Sequence, residues 1–181
     1  MTGSPDARIL LPALGLVIGG ARSGKSRFAE GLVLRSGLPR WYLATAQAWD
    51  TEMAVRIGAH KQDRGPDWHT VEEPLAVAAA LRAVPAGGVV LLDCATLWLS
   101  NHLLAGHDLN AEAEGLLTAL TTCASPVVVV SNEVGWSIVP DNALGRQFRD
   151  AQGRLNQQIA AEAGLVVAVI AGLPLVLKGA L

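Results

Sequence analysis

The stretch Leu14-Gly15-Leu16-Val17-Ile18-Gly19-Gly20-Ala21-Arg22-Ser23-Gly24-Lys25-Ser26 decides the fold. Its first five residues form a short apolar run, as expected of a strand covered on both faces. The next eight match G-x-x-x-x-G-K-[ST], with a helix pattern following over 25–36. A strand before and a helix after are the context this motif requires. The glycines let the backbone turn sharply and aim several N–H groups at one anion. The N-terminus of the following helix adds partial positive charge. Gly19, Gly20, Ala21, Arg22, Ser23, Gly24, Lys25 and Ser26 are therefore read as a phosphate-binding loop. Lys25 is expected to reach the β- and γ-phosphates of a nucleoside triphosphate, and Ser26 to help hold Mg²⁺. Arg22 reads equally as a solvated loop residue or as added charge near the γ-phosphate.

Outward from this loop, short apolar runs alternate with helical stretches. Strands are expected at Leu14–Ile18, Trp41–Ala44, Val89–Leu92, Val127–Val130 and Leu165–Ile170, with Pro174–Leu177 as an edge strand. Helices are expected at 25–36, 50–64, 75–83, 110–123 and 141–163, with a surface loop at Gly106 to Asn110. Such alternation implies right-handed crossovers and an α/β fold: a P-loop NTPase-like, mostly parallel, doubly wound sheet flanked by helices. With 181 residues and neither repeat nor linker, the chain reads as one domain over 1–181, with 1–8 as a loose tail.

Composition excludes several classes. Half of the chain (51%) is hydrophobic and 17% is charged, which sets it apart from disordered sequences. The net charge of −2, without a basic stripe, gives no support to nucleic-acid binding. The apolar run Ile9 to Ile18 falls short of the ~20 residues that span a bilayer, so no stable membrane insertion is expected. Cys94 and Cys123 show no metal-ligand spacing, and a reduced, cytoplasmic protein is the simplest reading.

Two further elements carry candidate chemistry. Asp93 closes the run Leu91-Leu92-Asp93; an acid there can hold the Mg²⁺ shell or simply start a turn. Within 50–64, Glu52, Arg56, His60 and Arg64 recur every four residues and form one polar row. A histidine between two arginines is biased towards its neutral, nucleophilic form. On spacing alone such a row is more often a solvated helix face. His69, His102 and His107 have no comparable setting and read as structural or surface residues.

Four stretches together resemble the bifunctional adenosylcobinamide kinase / adenosylcobinamide-phosphate guanylyltransferases of cobalamin biosynthesis. They are Gly19 to Arg27; Tyr42 to Ala46 with Asp50 to Lys61, Trp68, Thr70 and Glu72; Leu91 to Cys94 with Thr96 and Asn101; and Ser131 to Gly135 with Ile138-Val139-Pro140, Arg146, Phe148 to Asp150, Gly153 and Asn156-Gln157. The resemblance runs from about Leu16 to Lys178. It implies phosphorylation of adenosylcobinamide, a corrinoid, by ATP or GTP. It then implies transfer of GMP from GTP through His60, giving adenosylcobinamide-GDP and pyrophosphate. It also implies nucleotide contacts from Ala44, Thr45 and Ala46, from Lys61, Gln62, Asp63 and Arg64, and from Glu72. Some relatives carry a second histidine where Ala59 stands here, and Glu where Asp93 stands. The family further implies a homo-oligomer, a trimer. The competing readings are a plain small-molecule kinase with no covalent step, and a GTP-binding regulator. Against the regulator, Ser131-Asn132-Glu133-Val134 stands where switch GTPases carry N-K-x-D.

Overall fold

The computed structural model describes residues 8–47 and 67–181. The helix expected at 50–64 lies outside the described residues. The elements run β1 (Leu14–Gly19), α1 (Lys25–Ser36), β2 (Arg40–Ala44), β3 (Trp68–Glu72), α2 (Val77–Ala83), β4 (Val89–Asp93), α3 (Ala95–Leu104), α4 (Leu109–Thr122), β5 (Val127–Asn132), α5 (Ala143–Glu162), β6 (Leu165–Ile170) and β7 (Leu173–Lys178).

They build one seven-stranded sheet in the order β3-β2-β4-β5-β1-β6-β7. Every pairing is parallel except that of β6 with β7. The chain leaves β1 for β2 on one side, passing the places of β5 and β4. After β5 it crosses β1 to reach β6. Ligand crevices form where strand order reverses in this way, at the carboxyl ends of the strands.

Strand alternation divides the core in two. Leu16, Leu43, Val90, Leu92, Val127 and Val129 pack with α2, α3, α4 and α5 on one face. Val17, Tyr42, Leu91, Val128, Val130 and Val167 meet Ala29, Leu32 and Val33 of α1 on the other. Because both faces are covered, the central strands read as continuous apolar runs rather than alternating ones. Before β1, the Ile9 amide donates to the Arg35 carbonyl and Leu11 joins the α1 core, so the described start of the chain is docked.

Two elements differ from expectation. The segment Trp68–Glu72 is an edge strand paired with β2, although four of its five residues are exposed. Its apolar content is too low for a buried strand, and the ladder to β2 supplies what periodicity does not. Ala95–Leu104 is a helix that follows β4 almost directly, capped by the Cys94 sulfur, which accepts from the Leu97 amide. Its Ala95, Thr96, Trp98, Leu99, Asn101 and His102 are all buried, so it lacks the polar face that marks a helix in sequence. The expected loop at Gly106 to Asn110 is shorter than read, because Asp108 caps α4 and the helix starts at Leu109. The last long helix, expected from 141, starts at Ala143 and is capped by Asn142, its side chain accepting from the Gly145 amide at 2.7 Å.

Candidate nucleotide site

The loop from Gly19 to Lys25 joins the carboxyl end of β1 to the first turn of α1. Two of its residues hold the left-handed conformation: Arg22 at φ 57° and Gly24 at φ 91°. Gly24 takes it without steric cost, whereas Arg22 is one of two non-glycine residues with positive φ among the described residues. The loop leans on the turn between β6 and β7: the Gly172 amide donates to the Ser23 carbonyl at 2.9 Å. A Cβ on Gly19 would stand 2.5 Å from the Val169 carbonyl oxygen and 2.6 Å from Ser23 Oγ. Glycine there is a packing requirement.

Lys25 is buried, and its Nζ donates to the Gly20 carbonyl at 3.1 Å. Burial pulls its pKa below the usual lysine value, while Cys94 and Asp93 beside it act the other way. The lysine thus arches back over its own loop, where phosphate oxygens would replace solvent as its partners. Ser26 is half-buried at the start of α1. Ser23 Oγ is buried against Gly19 with no hydrogen-bond partner among the described residues. Arg22 is exposed.

Three adjacent strands bring their ends to the same edge. Ala44 is in register with Glu72 on one side and Asp93 on the other. Asp93 Oδ2 accepts from the Tyr42 hydroxyl at 3.1 Å, which orients the carboxylate. Glu72 is exposed at the outer end of this row. Thr45 has no exposed surface. Its hydroxyl donates to the Cys94 carbonyl at 2.8 Å and accepts from the Cys94 amide at 2.9 Å. Its own carbonyl accepts from Asn101 Nδ2, which also holds the Pro74 carbonyl. Thr45 therefore clasps the residue after Asp93, and the half-buried Ala44 and Ala46 are the members of that trio with surface to offer.

On the other side of the loop, Gly19 is in register with Asn132 and its carbonyl accepts from the Glu133 amide. Behind Asn132 lies a buried polar network. Ser131 Oγ donates to Asn156 Oδ1 at 2.6 Å, and Gln152 Nε2 donates to Ser131 Oγ and Asn156 Oδ1, each at 2.9 Å. Thr96 Oγ1 accepts from the Asn132 amide at 2.7 Å, and Asn156 donates to the Asn132 carbonyl. The network ties β5, α3 and α5 together beside the loop. Gln152 was not among the expected residues; Gln on an otherwise amphipathic helix face carries no signal until its neighbours are known.

The remaining expected site residues, His60, Lys61, Gln62, Asp63 and Arg64, lie outside the described residues. The other histidines are placed: His69 stacks on Trp41 with ring centroids 4.8 Å apart, and His102 is buried against Trp98 and His107.

This fold and site define a P-loop nucleotide-binding α/β protein. Solved structures of the same architecture include the flagellar accessory protein FlaH of Methanocaldococcus jannaschii, with TM-score 0.53 and 11% identity over 94% of this chain and 80% of that one. An ATPase of the type III secretion system of pathogenic bacteria gives 0.53 and 10%, over 86% and 50% respectively. At these identities the likeness is one of fold. Sequence comparison goes further. Residues 15–177 match the family model described as cobinamide kinase / cobinamide phosphate guanyltransferase. The bifunctional adenosylcobalamin biosynthesis protein CobP of Pseudomonas aeruginosa is 48% identical, over 91% of this chain and 96% of that protein. The corresponding protein CobU of Escherichia coli is 42% identical, over 90% and 98%. The chain belongs to the cobinamide kinase / cobinamide phosphate guanyltransferase family, whose members are bifunctional enzymes with kinase and guanylyltransferase activities.

Proposed function

We propose that this protein phosphorylates the aminopropanol hydroxyl of adenosylcobinamide with ATP or GTP, and then transfers GMP from GTP onto the new phosphate through a GMP–histidine intermediate on His60. The observation that carries this reading is the pairing of a complete phosphate loop, Gly19 to Ser26, with Asp93 at the end of β4, two strands along the sheet and close enough to act on Lys25, in a chain of this family.

Phosphorus transfer needs positioning and charge stabilisation above all. The loop amides and the N-terminus of α1 receive the triphosphate, and Lys25 neutralises its outer phosphates. A hydroxyl and a carboxylate are the hard oxygen donors Mg²⁺ favours; Ser26 and Asp93 would hold it. When bound, the ion supplies charge neutralisation on the phosphate oxygens. Tyr42 keeps the Asp93 carboxylate aimed, and the Thr45 clasp on Cys94 fixes the backbone that follows it. In guanylyl transfer a lone pair of neutral His60 attacks the α-phosphorus. A P–N bond forms, the bond to the leaving pyrophosphate breaks, and the imidazole N–H proton is released. An oxygen of adenosylcobinamide phosphate then attacks the same phosphorus, the P–N bond breaks, and the imidazole regains a proton. Arg56 and Arg64 are assigned to charge on the α-phosphate. Ala44, Ala46, Lys61, Gln62, Asp63 and Glu72 are assigned to the nucleotide.

The active form is proposed to be a cytoplasmic homotrimer. Support for an assembly of copies comes from β7, an edge strand whose Leu173, Leu175 and Leu177 are 72, 55 and 60% exposed. A bare apolar edge is a liability in a monomer. Among the described residues no helix is long and apolar enough to cross a membrane.

The test is incubation with Mg²⁺ and GTP labelled at the α-phosphate, beside His60→Ala. Acid-labile label on the wild type alone is expected, with phosphorylation of adenosylcobinamide retained by the variant. GTP binding without label on either protein would move the reading to a plain kinase. Label on both would assign the nucleophile elsewhere.

A further inference from the structure

Away from the phosphate loop, α3 and α4 meet at a tight corner. The Ala105 and Gly106 amides close the end of α3 on the Asn101 and Leu103 carbonyls, and Gly106 turns with φ 75°. The His107 amide donates to the His102 carbonyl at 3.1 Å, and Asp108 then caps α4. This corner folds His107 back over His102 and brings Glu112, on the first turn of α4, against both.

His102 is 3% exposed. Its Nε2 lies 3.1 Å from the Leu75 carbonyl oxygen. A carbonyl can only accept, so Nε2 carries a proton, and in the neutral ring Nδ1 holds a lone pair. That Nδ1 lies 2.9 Å from His107 Nδ1 and 3.6 Å from Glu112 Oε2. His107 Nδ1 lies 3.9 Å from Glu112 Oε1, and one ligand atom from each residue falls within 4.8 Å of the others. Ligand atoms ~2.0–2.2 Å from a shared ion at tetrahedral angles stand roughly 3.3–3.5 Å apart. The three groups are thus within a few tenths of an ångström of that spacing. Metal-ligating histidines commonly donate their second ring nitrogen to a carbonyl or carboxylate, which fixes the tautomer and aims the ring. The Leu75 carbonyl does this for His102.

We propose that His102 Nδ1, His107 Nδ1 and the Glu112 carboxylate form a structural site for one divalent transition-metal ion of the Zn²⁺ type. Two imidazoles and one carboxylate select Zn²⁺ or a neighbour over Mg²⁺, so the site is chemically separate from the one assigned to Ser26 and Asp93. His107 is exposed and Glu112 partly so, which leaves an entry path and coordination positions for water. The ion would lock the α3–α4 corner. Through the Leu75 carbonyl, which also accepts from Trp98 Nε1 at 3.0 Å, it would stiffen the connection that follows Glu72.

The experiment uses the whole protein, stripped with EDTA and dialysed, and titrated with Co²⁺ as a spectroscopic probe. One equivalent per chain is expected to give visible d–d absorption that Zn²⁺ displaces, and Zn²⁺ is expected to raise Tm. His107→Ala and Glu112→Gln, at accessible positions and checked for folding by circular dichroism, are each expected to weaken binding by more than the ~10–100-fold that losing an outer partner costs. Absence of stoichiometric Co²⁺ binding would overturn the site and leave a plain hydrogen bond between the two rings. Binding retained in either folded variant would overturn it too, placing the ion elsewhere. GMP labelling from GTP does not enter this readout, so the two readings fail separately.

Discussion

The amide of Gly172 donates to the carbonyl of Ser23 at 2.9 Å, so the turn joining β6 to β7 forms one wall of the phosphate loop. The loop is shaped by a hairpin some 150 residues later in the chain as well as by its own glycines. Gly19 is where the two meet. A methyl group there would lie 2.5 Å from the Val169 carbonyl, a backbone atom that cannot step aside, whereas a methyl on Gly20 would meet nothing within 4 Å. Gly19→Ala is expected to destabilise the fold by ~1–3 kcal/mol, the range for overpacking. Gly20→Ala is expected to stay within ~0.5 kcal/mol. Urea denaturation of both variants checks this, and equal stabilities would contradict the wall.

Lys25 illustrates a conflict between function and stability. Its ammonium is buried, with the Gly20 carbonyl as hydrogen-bond partner among the described residues and a pKa lowered mainly by desolvation. A lowered lysine pKa means the charged form is disfavoured in the fold. That cost is fully present at neutral pH and is relieved as pH rises through the folded pKa towards 10.5. Lys25→Met is therefore expected to abolish both transfers while leaving Tm equal to, or above, that of the wild type. A fall in Tm of several degrees would show that the ammonium is stabilising before phosphate arrives.

Thr45 makes the opposite kind of contribution. Both hydrogen bonds of its hydroxyl go to the backbone of Cys94, immediately after Asp93. Thr45→Val keeps the shape and leaves the buried Cys94 amide unpaired, at a cost of ~1–3 kcal/mol, while the Cys94 carbonyl keeps its bond from the Trp98 amide. A loss of about 1–3 kcal/mol is expected. Because Asp93 loses its fixed neighbour, the Mg²⁺ concentration for half-maximal activity should rise as well. Chemical denaturation and a Mg²⁺ titration of activity read these separately. Lost stability with an unchanged Mg²⁺ requirement would make Thr45 purely structural.

The exposed leucines of β7 lend themselves to a direct test. Leu175→Lys places a charge on a surface that is already 55% exposed, so the isolated chain should fold as before. Edge lysines block strand and sheet association. Light scattering coupled to gel filtration is expected to show the wild type as an oligomer and the variant as a smaller species. An unchanged mass in the variant would remove β7 from the interface.

Most of the sheet was legible in the sequence because its strands are buried on both faces and read as unbroken apolar runs. Leu165–Ile170 shows this, as does the loop motif between Leu14 and Ser26. What escaped has a physical pattern. Trp68–Glu72 is a strand by virtue of its ladder to β2, not of its own composition. Ala95–Leu104 is buried around most of its circumference and so carries no amphipathic period. At the site, Lys25, Ser26 and Asp93 are local to motifs. The Tyr42–Asp93 bond spans 51 residues and the Thr45–Cys94 clasp 49, and no spacing rule reaches that far. Thr45 was expected to touch nucleotide, yet its side chain faces inward. The five-residue steps from His102 to His107 to Glu112 match neither helical nor strand period, because a helix end, a turn and a new helix lie between them.

Cys94 permits a prediction with a definite sign. Its thiol is buried, and desolvation, reinforced by Asp93, raises its pKa from 9.0 to about 12. The native state therefore keeps the thiol proton over a range in which the unfolded chain loses it. Stability from this source is fully present below pH 9 and is lost as pH rises from 9 towards 12. Comparison with Cys94→Ala isolates the effect. The stability difference between wild type and variant should shrink by up to ~1.4 kcal/mol for each pH unit above 9. The same burial makes the thiol inert, since the thiolate is the reactive form. At neutral pH a thiol-specific chromogenic disulfide should modify the partly exposed Cys123 and spare Cys94 until the protein unfolds. Rapid modification of both cysteines in the native protein would mean that the junction after β4 opens to solvent. The Thr45 clasp around Cys94 would then be too loose to position Asp93.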